Sequence, residues 1–173
     1  HSHVHFHTCE RCIASLERVA ELYQGELLAG FSVEQAPLFD EWLTFTRESY
    51  HQKVMEALRI LTESALARED LEAVCHYAQR QLRWEPWLEQ AHYHYMQALV
   101  LKGERGKALR QFEICRDCLA NEFGVSPSAD ITALYAQLQT DRSQSRLSGL
   151  PRASKTQTLP ARANRFFGRD QER

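Results

Sequence analysis

The chain repeats its helix-breaking punctuation at an interval of 34 residues. One run reads Glu69-Asp70-Leu71-Glu72-Ala73-Val74-Cys75-His76-Tyr77-Ala78 and continues to Trp84-Glu85-Pro86; the other reads Gly103-Glu104-Arg105-Gly106-Lys107-Ala108-Leu109-Arg110-Gln111-Phe112. In each, a tight turn is followed by small and apolar residues at the same offsets. Val74 and Ala78 fall one period before Ala108 and Phe112, and Ala65 falls one period before Leu99. Small side chains are needed where the ridges of one helix cross another closely. A lone helical hairpin leaves its apolar face wet, so units with this period stack on one another.

The period is that of tetratricopeptide (TPR) repeats. The expected fold is therefore all-α: a TPR-like, right-handed stack of helical hairpins with about six to seven helices. Two full repeats fall short of the three that usually stand alone. The first helix, the start of the long second helix and the last helix are expected to cap the stack.

Local signals place the helices. Thr8 is a candidate cap for a first helix carrying Ile13, Leu16, Ala20 and Tyr23, with Gly25 as its left-handed stop. Pro37 suits the first position of a second helix, where its missing N–H costs nothing. From there Phe39, Trp42, Thr46, Tyr50, Val54, Leu58, Leu61 and Ala65 keep one face apolar for about thirty residues, and a break near Arg47–His51 is expected. Asp70 caps a third helix with Leu71, Val74, Cys75, Ala78 and Leu82 inward. Pro86 lies near the start of a fourth, with Leu88, Ala91, Tyr95, Ala98 and Leu99 inward, closed by Lys102-Gly103. A fifth buries Ala108, Phe112, Cys115 and Leu119 and stops at Gly124. Ser126-Pro127 opens a sixth, running to about Thr140 with Ile131, Leu134, Tyr135 and Leu138 inward. No segment alternates as a strand does.

Charge divides the chain. Residues 1–141 carry 13 basic and 21 acidic side chains, whereas residues 142–173 carry 8 basic and 2 acidic, within a net charge of −2. An acidic body argues against this segment gripping nucleic-acid phosphates by itself. Residues 1–7 read as a flexible His-rich segment, 8–140 as the helical domain, and 141–173 as a basic linker. No apolar run reaches membrane-spanning length. Beginning at His1 and ending without a helix-stop signal, the chain is expected to be a piece of a longer polypeptide. The odd number of cysteines, 5, fits a reducing, cytoplasmic setting.

Several stretches are more particular than the repeat. Leu22-Tyr23-Gln24-Gly25-Glu26-Leu27-Leu28-Ala29-Gly30-Phe31 precedes Phe39-Asp40-Glu41-Trp42-Leu43 and Arg47; Ala65-Leu66-Ala67-Arg68-Glu69-Asp70, the Pro86 junction and Glu122-Phe123-Gly124-Val125-Ser126-Pro127-Ser128 follow. In this order and spacing, over roughly residues 15–140, the chain resembles the bacterial transcriptional activator domain of antibiotic-regulatory (SARP-type) activators and related large regulators. The resemblance implies a TPR-like domain placed after a winged-helix DNA-binding domain that lies outside this chain, with DNA contacted only through that domain. Leu159-Pro160-Ala161 and Phe166-Phe167-Gly168-Arg169-Asp170-Gln171-Glu172 look like the lead-in to an ATPase domain of the STAND class, itself absent here. No phosphate-binding loop motif occurs, so no nucleotide cofactor is expected.

The function expected from these readings is a non-catalytic regulatory module of a bacterial transcription regulator. It would couple a DNA-binding domain to a signalling ATPase domain or mediate self-association, with protein partners and no membrane. The alternative is a stand-alone TPR adaptor that binds a peptide. In either case the inner surface is lined by the first helix of each hairpin, and the candidate partner-binding residues are Glu56, Arg59 and Glu63, then Gln90, Tyr93 and Gln97. A second chemistry stays open at the start of the chain. His5, His7, Cys9 and Cys12 can supply imidazoles and paired thiols to Zn²⁺, although alternating histidines also bind metal opportunistically. His51, His76, His92 and His94 read as structural or solvated, and the Cys115/Cys118 pair as packing. No nucleophile-elbow or zinc-protease pattern marks an enzyme.

Overall fold

The computed structural model describes the backbone of residues 9–33 and 35–148, and side chains as far as Thr140. Six helices and no strand occur among the described residues: α1 (Glu10–Leu22), α2 (Pro37–Ala67), α3 (Leu71–Trp84), α4 (Glu89–Leu101), α5 (Arg105–Phe123) and α6 (Ala129–Ser148). Each packs on the next in the chain, and α4 also touches α6. The architecture is the expected all-α hairpin stack.

The turns close as their residue types dictate. The Asp70 carboxylate accepts the Ala73 N–H at 3.0 Å and caps α3. Gly103, at φ +77°, donates to the Val100 carbonyl while Glu104 N–H returns to Leu99, a left-handed closure that β-carbon sterics disfavour in other residues. Gly124 ends α5 in the same conformation, at φ +66°.

The core runs through the stack in three connected groups. Ile13 and Ala20 of α1 meet Val54, Leu58 and Leu61 of α2. Ala65, Val74, Cys75 and Ala98 join α2, α3 and α4. Met96, Leu99, Ala108, Phe112, Cys115 and Leu119 meet Ile131 and Leu138 of α6, where Phe112 and Tyr135 stack at 4.0 Å. Alanines at 57, 65, 78, 91, 98 and 108 are buried, which lets neighbouring helices approach closely. Tyr77 donates to the Glu17 carboxylate at 3.0 Å and Arg80 donates to the Ala20 carbonyl, so α1 is tied to α3 as well as to α2.

Thr62, Gln81 and His92, buried in this core, find partners there. Gln81 donates to Thr62 Oγ1 at 2.8 Å, and Thr62 in turn donates to the Leu58 carbonyl. His92 Nε2 lies 2.8 Å from the Pro86 carbonyl and its Nδ1 lies 2.7 Å from Gln111 Nε2. Those partners fit a neutral ring that donates from Nε2 and accepts at Nδ1. Burial accordingly holds the His92 pKa below its usual value.

Five local expectations are corrected. α2 runs unbroken through Arg47–His51, a stretch without proline or glycine whose ends are held by neighbours: Arg47 by the Leu27 and Leu28 carbonyls, His51 by Glu85. The inward residue in its first half is Leu43, whereas Trp42 and Tyr50 are exposed and Phe39 is half-buried, and no core cluster of the described residues includes that half. Gly25 is not left-handed; Leu28 and Gly30 carry the positive φ values of that connection, and Tyr23 ends α1 in an extended conformation. α6 starts at Ala129, two residues after the expected proline, where the Ser128 N–H donates to Glu89 Oε2 at 2.6 Å. It continues past Thr140 to Ser148, since nothing between those positions breaks a helix before Gly149. Thr8, the histidines of residues 1–7 and the stretch read as an ATPase lead-in lie outside the described residues.

Candidate interaction surfaces

Three surfaces can engage other molecules, and the first is the face that α2 and α4 share. Arg59 donates to both oxygens of Glu56, at 2.8 and 2.6 Å, and to Glu63 at 2.5 Å. Hydrogen bonding to Glu56 above all pushes its pKa upward. On α4, Gln97 donates to the Tyr93 hydroxyl at 3.1 Å, and Gln90 Nε2 lies 2.8 Å from His94 Nε2. The two rows communicate: burial lowers the His94 pKa and the Glu63 carboxylate opposes it. Gln90 and Tyr93 also line a recess of about 150 Å³ with Ser128, Asp130 and Ile131, at the start of α6. All six groove candidates are thus at least partly solvent-accessible, and side chains on each helix are pre-oriented by their own i,i+3 and i,i+4 bonds.

The second surface is apolar, and of its residues Phe39 and Trp42 were expected on the inward face of α2. On the first half of α2, Leu38, Trp42 and Phe45 are 80%, 53% and 75% exposed. Phe31 and Val33, from the preceding connection, are exposed beside the same half. Phe31 sits edge-on to Phe39 at 6.0 Å, and Phe39 lies 5.7 Å from Trp42, so the rings form one strip. Contiguous exposed apolar side chains of this size mark contact surfaces on soluble proteins.

The third surface escaped the sequence reading. Between the end of α1, the middle of α2 and the α3–α4 turn lies an open recess of about 570 Å³, with Tyr23, Arg47, His51, Trp84 and Trp87 among its lining residues. Arg47 donates to the Leu27 and Leu28 carbonyls at 2.8 and 2.5 Å, and so fixes the connection that forms one wall. His51 Nε2 lies 2.9 Å from Glu85 Oε1, fixing another. His51 and Glu85 are themselves one 34-residue period apart, the only signal in the sequence that would have brought them together.

Of the metal candidates, Cys9 and Cys12 stand at the start of α1, both half-buried, while His5 and His7 lie outside the described residues. Hydrogen bonding from the Cys12 backbone lowers the Cys9 pKa, and the Cys9 side chain raises that of Cys12. No cluster of three metal-ligating side chains occurs among the described residues. Cys115 is fully buried and its thiol is pushed up to about 12, mainly by burial, which suits packing and not nucleophilic chemistry. No described helix is long and apolar enough to cross a membrane.

No curated protein and no solved structure matches the chain. The family model that matches, over residues 5–139, is that of the bacterial transcriptional activator domain, and with the all-α hairpin stack described above the chain belongs to that family of transcription-regulatory domains.

Proposed function

We propose that this domain acts without catalysis, as a docking platform that joins other parts of a cytoplasmic bacterial transcription regulator. It takes up an adjoining domain or a second protomer, and passes state between a separate DNA-binding unit and a signalling ATPase unit. The observation that carries this reading is the apolar strip on the first half of α2. Leu38, Trp42, Phe45 and Phe31 all remain exposed, gathered on and beside one half of one helix. Covering a large apolar side chain is worth about 1.5–3 kcal/mol, so a protein surface laid on this strip would be held firmly.

The groove of Arg59, Glu63, Gln90, Tyr93 and Gln97 supports a second and weaker contact with a polar peptide segment, the adaptor reading. Zn²⁺ at Cys9 and Cys12 remains a separate proposal, tested by metal analysis of the protein against a Cys9→Ala/Cys12→Ala variant. Stoichiometric zinc lost in the variant supports it, and none in the parent overturns it.

The docking reading is tested in the intact regulator with Leu38→Asp/Phe45→Asp, set beside Arg59→Ala/Tyr93→Ala. The strip variant is expected to abolish promoter activation in a reporter assay while leaving helicity and thermal unfolding of the domain unchanged. Full activation by the strip variant overturns it. Loss confined to the groove variant transfers the role to the groove.

A further inference from the structure

The recess at Tyr23, His51 and Trp84 takes no part in the docking reading. Three rings face one another from three elements: Tyr23 follows α1, His51 lies within α2, and Trp84 ends α3. Their centroids are 5.0 Å (Tyr23–Trp84), 6.1 Å (His51–Trp84) and 6.4 Å (Tyr23–His51) apart. Interplanar angles of 54°, 73° and 56° make them a tilted, edge-on cluster whose rings pack against one another and together line one side of the recess. Trp87, in the α3–α4 turn, extends one wall and is 41% exposed.

Three carboxylates line the same space, again from separate segments: Glu26 before α2, Glu48 within it, and Glu85 after α3. The one guanidinium there, Arg47, is spent on the Leu27 and Leu28 carbonyls. Neither Glu26 nor Glu48 forms an ion pair with a described cation, whereas Glu85 faces His51. Both free carboxylates are solvent-exposed at the mouth, and Glu48 accepts only an amide, from Gln52 at 2.7 Å. Burial, reinforced by Glu26 and Glu48, raises the Tyr23 pKa. Ring faces carry the negative lobe of the aromatic quadrupole, so rings and carboxylates select the same sign of ligand.

We propose that this recess binds a small organic cation, its alkylammonium or guanidinium head laid against the ring cluster of Tyr23, His51 and Trp84 and balanced by Glu26 and Glu48. The volume of about 570 Å³ lies within the range of small-ligand sites. Two sources can present that head. One is a free amine; the other is the chain's own segment 142–173, with 8 basic side chains against 2 acidic.

The test uses the whole chain. Choline and putrescine are titrated at matched ionic strength, with the indole N–H signals of Trp84 and Trp87 followed by NMR and Trp42 as the internal control. Saturable shifts at Trp84 and Trp87 are expected, with Trp42 unmoved and with no response to choline's uncharged tert-butyl analogue. Glu26→Gln/Glu48→Gln, at exposed positions that leave folding intact, should weaken binding about tenfold or more. Trp84→Leu should do the same, read together with its unfolding curve. An Arg152→Gln/Lys155→Gln/Arg162→Gln/Arg165→Gln variant separates the sources: tighter choline binding than in the parent assigns the site to the basic segment, and equal binding assigns it to a free amine. The proposal is overturned by no saturable shift in either chain in the millimolar range, by equal binding of the uncharged analogue, or by indifference to the two carboxylates.

Discussion

The two halves of α2 share one helix and obey opposite rules. From Val54 to Ala65 the inward positions are dry, with α1 on one side and α3 on the other, and Leu58 and Leu61 have no exposed surface at all. From Pro37 to Tyr50 the helix is at least as rich in large apolar side chains, yet only Leu43 is buried and Leu38, Trp42 and Phe45 stand in solvent. The same pattern of residue types therefore yields core in one place and bare surface in the other. What differs is the neighbour. Neighbouring helices with buried small residues, Ala78 of α3 among them, close over the second half, where α2 contributes Ala57. Among the described residues, the connection 23–36 lies beside the first half, its Leu27 and Leu28 carbonyls accepting from Arg47. Apolar content shows that a face wants cover; the small residues of a partner helix decide whether this chain supplies it.

The largest effect that separates the halves is a truncation in each. Leu58→Ala should destabilise the domain by about 3 kcal/mol in urea unfolding, through lost burial and the cavity left behind. Leu38→Ala, at 80% exposure, should stay within about 0.5 kcal/mol of the parent. Similar losses at both sites would mean that the strip is covered within the chain. Next comes overpacking: Ala78→Leu, at a fully buried crossing, should cost about 1–3 kcal/mol by forcing α3 away from its neighbours. If Ala78→Leu proves neutral, close approach of the helices is not what sets this stack.

The sequence conveyed the stack better than the surfaces. Period and turn residues were enough for the helix order, the Asp70 cap, the Gly103 and Gly124 stops and the inward faces of α3 to α6. These are local or nearest-neighbour properties, written into adjacent residues. The first half of α2 misled because periodicity marks an apolar face without saying whether anything lies against it. The start of α6 misled because Ser128 and Glu89, 39 residues apart, fix it together. That Glu56, Arg59 and Glu63 share one helix face was legible, since their spacing makes them neighbours on it. The aromatic recess was not: Tyr23, His51 and Trp84 meet only after α1 has folded across α2 and α3, and no spacing within a helix records that.

The buried His92 should make the stability of the domain depend on acid. Its native pKa is lowered by burial, so between that value and the ordinary value near 6.5 the unfolded chain binds a proton that the native protein does not. Stability should therefore be complete above about pH 6.5 and fall as the pH drops through the interval below it. His94, also lowered by burial, adds to the same trend. Urea midpoints measured from pH 7.5 down to 5 should fall, and less steeply in His92→Gln. An unchanged slope in that variant would exclude His92 as the source. Gln111→Ala, which leaves His92 Nδ1 without its partner, should cost about 1–2 kcal/mol at neutral pH.

The smallest effects test the turns, and here two glycines three residues apart should move in opposite directions. Gly103 sits at φ +77°, a conformation that a β-carbon makes costly, so Gly103→Ala should lower stability by about 1 kcal/mol. Gly106 lies in the first turn of α5 with ordinary helical φ, and a β-carbon built there meets nothing within 4 Å. Gly106→Ala should therefore raise stability by about 0.5–1 kcal/mol, because alanine loses less backbone freedom on entering the helix. Both substitutions leave the core untouched, so the difference between their urea midpoints isolates backbone conformation from packing. A gain in stability at Gly103 would mean that the α4–α5 turn closes in some other way, and with it the 34-residue register that stacks the second hairpin on the first.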